Sequence, residues 1–493
     1  MSDLLDLYGD YAAMSAAISI LNWDRQVFMP PGGAVARSSH VESLTRLAHQ
    51  MLTGDEMRRA LENTERNAEP GSEAAAMTTR LRRDMEIESK LPMELVSRKS
   101  RVSSDGYEAW KEAKAASDFG KLQPYLEQLF EIARETADLL GYRDHPYDAL
   151  IDLFEEGATH EDAKSMFEAI KPEIVSLVNE IRETGRLIDD SPLYGNWDPQ
   201  RLRGFAEEAA GVIGFDLSCG RLDLAPNAFC TSLSPNDVRM TTRASNHVKG
   251  VISSSLHEMG HGLYEQGSPE RWAGNPLAGG ISNAVHESQS RLWENIVGRQ
   301  LSFWRFFLPK LKARVPELAD VSLEQFHAGM NVVRAEPVRV GADELTYNLH
   351  ILVRFELESE IVTGQLQVRD LPEAWNEKYR SYLGFVPEND AAGCLQDVHW
   401  SRGSVGYFPT YSMGNLIGAQ VWETLQRDVP DTDSRMEQGD FAPILGWLQE
   451  RIYSQGRRYD PKELIRRVTG HTMRPDAWLR YANSKYRALY GLE

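Results

Sequence analysis

Cysteine is scarce in this sequence. Only three of its 493 residues are cysteines, Cys219, Cys230 and Cys394, and none forms a C-x-x-C pair with another. A small, odd number without that spacing excludes a disulfide framework and a zinc site built from cysteine thiolates. It is typical of proteins from a reducing compartment, and we predict a cytoplasmic protein.

An excess of basic residues is also missing. Lysine and arginine number 54 against 73 acidic residues, the formal net charge is −19, and the chain has no basic block. Nucleic acid and anionic membranes attract basic surfaces, so both are poor candidate partners. The first residues are acidic where a secretion signal needs basic ones. No uninterrupted apolar stretch approaches the ~18 residues of a membrane span, so we expect no transmembrane helix.

Helical periodicity is the dominant secondary-structure signal in the sequence. Strand signals are confined to 236–243, which we predict to be a short edge strand or a hairpin. The chain has no linker and no internal repeat, so we predict a single domain over 1–493, mainly α-helical, with two lobes around a cleft. Apolar residues recur at helical spacing in five stretches, of which the last holds two helices: 121–142, 160–187, 285–302, 345–364 and 440–469.

The most informative segment is His257-Glu258-Met259-Gly260-His261, an H-E-x-x-H sequence. Two histidines at this spacing lie on one face of a helix, so both imidazoles can reach one cation. Glu258 is offset from that face and can address a water held by the metal. The alternative is a surface helix with two solvated histidines.

A catalytic zinc site of this kind needs a third protein ligand. A metzincin would have glycine at 264 and histidine at 267; this chain has Tyr264 and Gly267, which excludes that class. Glu287 is the candidate, because the preceding loop is rich in glycine and proline and can return a second helix toward the histidine pair. Glu294, two turns further on, is a competing candidate.

Two other features are suited to binding a substrate. Arg339 has the planar fork that grips a carboxylate, although most arginines are simply surface charges, and this alternative interpretation applies to Arg239 and Arg354 as well. A tyrosine or histidine of residues 393–411 can donate a hydrogen bond to an oxyanion, or the aromatic side chains of that stretch can pack in the core. Its polar and aromatic residues are Gln396, Asp397, His399, Trp400, Tyr407 and Tyr411.

These segments together resemble the Taq carboxypeptidase family of metallocarboxypeptidases, family M32, over nearly the whole chain. One family motif departs: Asn227-Ala228-Phe229 stands where H-P-F is usual, near the substrate groove, so the preferred peptide length stays open. The matching motifs, in chain order, are Trp23-Asp24 with Met29-Pro30-x-Gly32-Gly33, Asp237-Val238-Arg239-Met240-Thr241, His257 to His261, His286-Glu287-Ser288-Gln289, Val338-Arg339-Val340-Gly341-Ala342-Asp343, Gly393 to Trp400, and 406–415.

The resemblance implies a mainly helical fold with a zincin-type active-site helix, a long substrate groove and a homodimer. It implies one divalent metal, Zn²⁺ or Co²⁺, held by His257, His261 and Glu287. It also implies that single residues are removed from the free C-termini of peptides, with broad specificity.

We therefore predict a carboxypeptidase in which Glu258 is the general base toward the attacking water. In this hypothesis His399 and either Tyr407 or Tyr411 stabilise the oxyanion that forms.

Arg339 is predicted to bind the C-terminal carboxylate of the substrate, with Arg354 as second choice. Asp237, Arg239 and Gln396 complete the predicted substrate-binding set. Two alternatives remain at this point: a related helical oligopeptidase or dipeptidyl carboxypeptidase, and a peptide-binding scaffold without catalysis. Glu258 argues against the scaffold, because binding alone needs no general base.

Overall fold

The computed structural model describes residues 2–245 and 247–492, and these are mainly helical, which confirms the predicted fold class. The first ten helices are α1 Ser2–Val27, α2 Ala34–Thr53, α3 Asp55–Asn67, α4 Glu73–Lys90, α5 Met93–Ala116, α6 Gln123–Leu140, α7 Pro146–Asp152, α8 His160–Glu183, α9 Pro199–Ile213 and α10 Val248–Gln266. The remaining helices are α11 Asn283–Arg291, α12 Leu301–Arg314, α13 Leu323–Met330, α14 Tyr347–Val362, α15 Leu371–Leu383, α16 Pro409–Asp428, α17 Thr432–Glu437, α18 Ala442–Arg451, α19 Pro461–Thr469 and α20 Asp476–Tyr490.

The predicted helices are confirmed. Residues 121–142 hold α6, 160–187 hold α8 and 345–364 hold α14, while 440–469 contain α18 and α19. The stretch 285–302 is less regular than its periodicity suggests. It contains most of α11, then a π-helical segment, Leu292–Val297, and the start of α12. Such π segments often occur at functional sites, and this one contains Glu294.

A small sheet of β1 Gly220–Leu224, β2 Cys230–Ser234 and β3 Asp237–Thr242 lies between α9 and α10 in sequence. The strand order is β1-β3-β2, with β3 parallel to β1 and antiparallel to β2. The predicted strand at 236–243 is present as β3, which forms a hairpin with β2 and not within 236–243 itself, and its prediction as an edge strand is wrong. Strand β3 pairs with β1 on one side and with β2 on the other, so it is central, and its apolar side chains Val238 and Met240 are buried.

The buried apolar side chains form one large cluster, which runs from Leu95 to Tyr490, and two small ones. Helices α1–α4 have their own core, which includes Leu4, Leu61 and Leu81. These helices form a separate layer against the body, with a cavity of about 270 Å³ between α1 and β2. No disulfide crosses these layers, since all three cysteines are free thiols, as predicted.

Helix α1 is the one helix in the described ranges that is long and apolar enough to cross a membrane by length and composition. Its most apolar window has a mean hydropathy of 1.2. Core helices of soluble proteins and secretion signals meet the same criterion, so this is a weak indication. Helix α1 packs along α2, α3 and β2, with Leu4, Tyr8 and Trp23 buried.

Candidate metal centre

Helix α10 carries the H-E-x-x-H segment. It begins where the His247 side chain accepts a hydrogen bond from the Lys249 backbone N–H, at 2.9 Å. The rings of His257 and His261 lie on one face, with centroids 4.8 Å apart. Both imidazoles are half-buried and both can address one point. The predicted helical placement of the histidine pair is therefore observed.

Glu287 comes from α11, which Ser282 caps by accepting a hydrogen bond from Val285 N. Its Oε2 atom lies 3.6 Å from Nε2 of His257 and 3.6 Å from Nε2 of His261. This separation is too long for a hydrogen bond. It is close to the ~3.4 Å expected between two ligand atoms of a tetrahedral ion with bonds of about 2.0–2.2 Å. The ligand atoms of all three residues lie within 4.8 Å of one another, so this donor set fits one divalent cation.

Glycines allow the helices that carry these ligands to approach closely. A Cβ on Gly260 would lie 2.6 Å from the backbone oxygen of Gln289, on α11. A Cβ on Gly414, on α16, would lie 2.7 Å from Cβ of Glu287. Glycine inside a helix costs up to about 1 kcal/mol relative to alanine. The close approach of α10 and α16 to α11 accounts for glycine at both positions.

Glu294 lies outside the candidate ligand cluster and contacts the nitrogen of His257 that does not face the cluster, Nδ1. Its Oε2 accepts a hydrogen bond from His257 Nδ1 at 3.0 Å, which leaves Nε2 of that ring free. Arg291 donates to Glu294 Oε2 at 3.0 Å and to Glu287 Oε1 at 2.7 Å. Burial opposes ionisation of Glu294, but Arg291 and the hydrogen bond from His257 outweigh it and lower its pKa to about 2. Metal-ligating histidines are commonly oriented by a carboxylate in this way.

The Nδ1 atom of His261 also has a hydrogen-bond partner, but this partner is an imidazole and not a carboxylate. Its Nδ1 lies 2.6 Å from Nδ1 of His286, and Nε2 of His286 lies 2.7 Å from Oε1 of Glu265. Burial would raise the pKa of Glu265, but the hydrogen bond from His286 lowers it below the ordinary value.

Glu258 lies beside the cluster and is 6% exposed. Burial raises its pKa, His257 opposes this, and the carboxylates of Glu287 and Glu294 add to the rise, so that the pKa is about 7. A carboxyl with a pKa near the working pH is suited to take up and release a proton.

A second polar cluster is built around Asp397. Arg339 donates from Nε and Nη2 to Asp397 Oδ1, at 3.0 and 2.7 Å, and from Nη1 to the Tyr347 hydroxyl at 2.9 Å. Arg354, which is fully buried, donates from Nε to Asp397 Oδ2 at 2.6 Å. Gln396 Oε1 accepts from the backbone N–H of Arg339 and from Arg354 Nη2, both at 2.7 Å. The arginines flank a single buried carboxylate.

Tyr347 connects the two clusters. Its ring faces the guanidinium of Arg291 at 4.4 Å, and its hydroxyl accepts from Arg339. The guanidinium of Arg339 also lies 5.1 Å from the ring centre of Tyr411, which precedes Gly414 on α16. Through Tyr347 and Arg291, Arg339 is therefore linked by contacts to Glu287.

His399, Tyr407 and Tyr411 form an aromatic group at this junction. His399 Nε2 lies 3.2 Å from the hydroxyl of Tyr411, and the ring centroids of Tyr407 and Tyr411 are 5.2 Å apart. Burial, with Arg339 nearby, lowers the pKa of His399 to about 3, so its ring is neutral at ordinary pH. This group can supply neutral hydrogen-bond donors to a substrate oxygen.

Asp237 and Arg239 are brought to a different part of the fold. Arg239 donates to both carboxylate oxygens of Asp237, at 2.8 and 2.9 Å, and its guanidinium lies 4.5 Å from the ring of Trp23 on α1. Thr241, on the same strand, holds the 227–229 turn by hydrogen bonds to the backbone of Asn227 and Phe229. The strand thus fixes α1 and the turn that departs from the family pattern.

Five residues of these clusters had no predicted role in the sequence: Arg291, Tyr347, His286, Glu265 and, as a partner of His257, Glu294. Arg291 is one helical turn after Glu287, a spacing at which a salt bridge could have been anticipated. The others depend on contacts between distant segments and leave no local signal.

The comparisons with known proteins agree with this geometry. Residues 3–486 match the family model described as Carboxypeptidase Taq (M32) metallopeptidase. Thermostable carboxypeptidase 1 of Thermus thermophilus is 38% identical over 502 residues, which cover 99% of this chain and 98% of that protein. Carboxypeptidase 1 of Bacillus subtilis is 35% identical over 491 residues, with the same shares covered.

Solved structures of carboxypeptidases are also similar to this chain. The Pyrococcus furiosus carboxypeptidase structure superposes with a TM-score of 0.96 at 36% identity, covering 98% of each chain. The M32 carboxypeptidase of Deinococcus radiodurans gives 0.96 at 36% identity, covering 99% of each chain. The chain belongs to the M32 family of metallocarboxypeptidases. It is a metal-dependent hydrolase of peptides, which confirms the resemblance and the enzyme class predicted from its motifs.

Proposed function

We propose that His257, His261 and Glu287 hold the family's divalent metal, Zn²⁺ or Co²⁺, and that the enzyme releases single residues from peptide C-termini. The observation that carries this proposal is the equal 3.6 Å separation of Glu287 Oε2 from both imidazole Nε2 atoms. Two imidazoles and one carboxylate, with a position left open, are typical of catalytic zinc sites. The metal, when bound, polarises the scissile carbonyl and increases the acidity of water.

Glu258 is the proposed general base. It takes a proton from the attacking water while the water oxygen bonds to the carbonyl carbon, and it delivers that proton to the leaving amine as the C–N bond breaks. Its near-complete burial and its pKa of about 7 support both transfers.

His399 and either Tyr407 or Tyr411 are proposed to stabilise the oxyanion. Two contacts support this role: Tyr411 lies beside Arg339 and His399, and it is about one turn before Gly414, the α16 residue that packs on Glu287. The neutral state of His399 restricts it to hydrogen bonding, since it carries no charge to offer at ordinary pH.

Arg339 is the proposed anchor for the substrate's C-terminal carboxylate. Three of its five N–H groups are used by Asp397 and Tyr347, so two remain for a ligand. Arg354 is fully buried, and Gln396 is engaged by both arginines. We propose that these two residues hold Arg339 in place. Asp237 and Arg239 are proposed to bind the substrate further along the groove, near the 227–229 turn.

The wider setting is also a proposal. We propose a single domain over 1–493, a homodimer in solution and a cytoplasmic location. The three free cysteines support the location, because they suit a reducing compartment. Sedimentation velocity at several protein concentrations would test the dimer.

The deciding experiment is digestion of a peptide with a blocked N-terminus, followed by mass spectrometry, with and without a chelator. Stepwise loss of single C-terminal residues, abolished by the chelator, is the expected result. Loss of two residues per step would favour a dipeptidyl carboxypeptidase, and internal fragments would favour an oligopeptidase. An undigested peptide with bound metal would favour the binding scaffold.

A further inference from the structure

His286 and Glu265 have no part in the mechanism above, yet they form a continuous hydrogen-bonded chain that ends on a candidate metal ligand. The chain runs from His261 Nδ1 to His286 Nδ1 at 2.6 Å, and from His286 Nε2 to Glu265 Oε1 at 2.7 Å. Glu265 is on α10, one turn after His261, and His286 directly precedes Glu287 on α11. The two helices that carry the ligands therefore also carry this chain.

The partners determine where each proton lies. A histidine that binds a metal through Nε2 must keep its proton on Nδ1. The Nδ1–H of His261 then donates to His286, whose Nδ1 must accept it with a lone pair. His286 consequently has its own proton on Nε2, which donates to the Glu265 carboxylate. Both nitrogens of His286 and Nδ1 of His261 then have a hydrogen-bond partner. The remaining nitrogen, Nε2 of His261, is left for the metal on the side of Glu287.

The surroundings hold both members of the chain in place. A Cβ at Gly280 would lie 2.5 Å from Cδ2 of His286, so the loop backbone packs directly on the ring. The ring of Tyr264 lies 5.0 Å from His286 on another side. The Gly280 backbone N–H donates to Glu265 at 3.3 Å. Because these contacts prevent rotation of the ring, His286 can fix the orientation of His261.

The two histidines of the H-E-x-x-H segment are thus oriented differently. His257 has a carboxylate, Glu294, directly on its Nδ1. His261 reaches its carboxylate, Glu265, only through an intervening imidazole. Glu265 also lines the cavity between α1 and β2, so this side of the site is connected to the layer formed by α1–α4.

We propose that His286 and Glu265 are positioning residues for His261, and that the retention of the metal depends on them. This inference rests on the proposed ligand set of His257, His261 and Glu287. Outer partners of metal ligands typically contribute 10- to 100-fold to metal affinity, and we expect effects of that size here.

The test measures transfer of Zn²⁺ from the purified holoenzyme to a chromogenic chelator. His286→Ala removes the acceptor on His261, whereas His286→Asn keeps an oxygen near the position of Nδ1. We expect about 10- to 100-fold weaker retention for His286→Ala and substantial rescue by His286→Asn. Glu265→Gln, which keeps an acceptor for His286, should lie between Glu265→Ala and the unaltered enzyme.

The matched control is His49→Ala, because His49 also pairs with a carboxylate, Glu88, at 3.2 Å, but on α2 and α4. It should retain Zn²⁺ as the unaltered enzyme does. The thermal midpoint of each metal-free variant separates a loss of ligand orientation from a loss of folding. The visible absorption of the Co²⁺-loaded forms should change for His286→Ala and stay unchanged for His49→Ala.

The outcomes separate this inference from the proposed ligand set. If Glu287→Ala still binds one equivalent of Zn²⁺ tightly, the ligand set is wrong. If Glu287→Ala loses the metal while His286→Ala retains it within twofold of the unaltered enzyme, the ligand set stands and the positioning role is overturned. Equal loss for His286→Ala and His286→Asn, with unchanged metal-free midpoints, would also overturn it.

Discussion

Arg339 and Arg354 share one buried carboxylate: Asp397 accepts from Arg339 Nη2 at 2.7 Å and from Arg354 Nε at 2.6 Å. Burial would raise the pKa of Asp397, but the two guanidinium groups hold it well below the ordinary value. The group carries one surplus positive charge, since two cations face one anion. A substrate carboxylate would balance it, which makes the group suited to an exopeptidase.

Arg339→Ala should therefore discriminate between substrates. We expect kcat/KM for peptides with a free C-terminus to fall on the order of 10²-fold, as is typical when one partner of a buried charged hydrogen bond is removed. Peptides with an amidated C-terminus, which already lack the negative charge, should lose much less. Steady-state kinetics on one matched peptide pair would measure the difference. Equal losses for both peptides would exclude Arg339 as the anchor.

Asp397→Asn should act mainly on stability. It leaves two buried guanidinium groups without a counter-charge, a change that typically costs about 3–5 kcal/mol. Urea denaturation of the metal-loaded enzyme would measure the free energy of unfolding. Glu423→Gln is the control, because Glu423 pairs with Arg480 at 2.9 Å on the exposed surface, where such pairs contribute at most about 1 kcal/mol. A cost for Asp397→Asn as small as the control's would contradict the structural role of this carboxylate.

Much of the fold and the inner part of the site could be predicted, because their signals are local. The stripe of apolar residues in α6 and the cap and periodicity of α8 are contained within each segment. The placement of His257 and His261 follows from helical geometry alone. Glu287 needed one further assumption, that the loop reverses the chain, and α11 packs on α10 accordingly.

What could not be predicted depends on contacts between distant segments. The central position of β3 required knowing that β1 would pair on its other side. The role of Glu294 depends on the π-helical segment, which changes the direction of its side chain relative to a regular helix. The hydrogen bonds that link His261, His286 and Glu265 require α10 and α11 to be antiparallel neighbours at one particular distance. Nothing in the local pattern around either residue specifies that separation.

Removal of the metal should abolish activity and lower thermal stability together. A ligand that binds only the folded state stabilises it by about 4 kcal/mol at a free concentration of 1,000 Kd. We expect treatment with a chelator to lower the thermal midpoint, and Zn²⁺ or Co²⁺ to restore both the midpoint and peptide release. Differential scanning calorimetry with parallel activity assays would show this. Full activity after complete removal of metal, checked by elemental analysis, would contradict metal dependence.

His399 should make the protein sensitive to acid without setting the pH profile of catalysis. Its pKa is about 3 when folded, against an ordinary value near 6.5, so the unfolded chain binds one more proton between these limits. Stability should then fall as the pH drops from 6.5 toward 3, by up to about 1.4 kcal/mol per unit for this group.

His399→Gln should flatten the dependence of the unfolding free energy on pH by that amount, while the pH limits of kcat/KM stay in place and the rate falls. Measuring denaturation and kinetics between pH 4.5 and 7.5 would test both parts, with the unaltered enzyme as reference. A shifted acid limb in His399→Gln would show that this ring titrates during catalysis, contrary to its neutral state in the structure.

Glu258→Gln tests the general base directly. The substitution keeps the size of the side chain and does not touch the three candidate ligands, so one equivalent of metal should remain bound. Turnover should fall by about 10²–10⁴-fold or more, the usual contribution of a positioned acid–base group. The control is Glu270→Gln, since Glu270 is exposed in the loop after α10 and bonds Asn236. Because Glu258 is the proposed carrier of the proton from water to amine, substantial turnover in the metal-loaded variant would require another base.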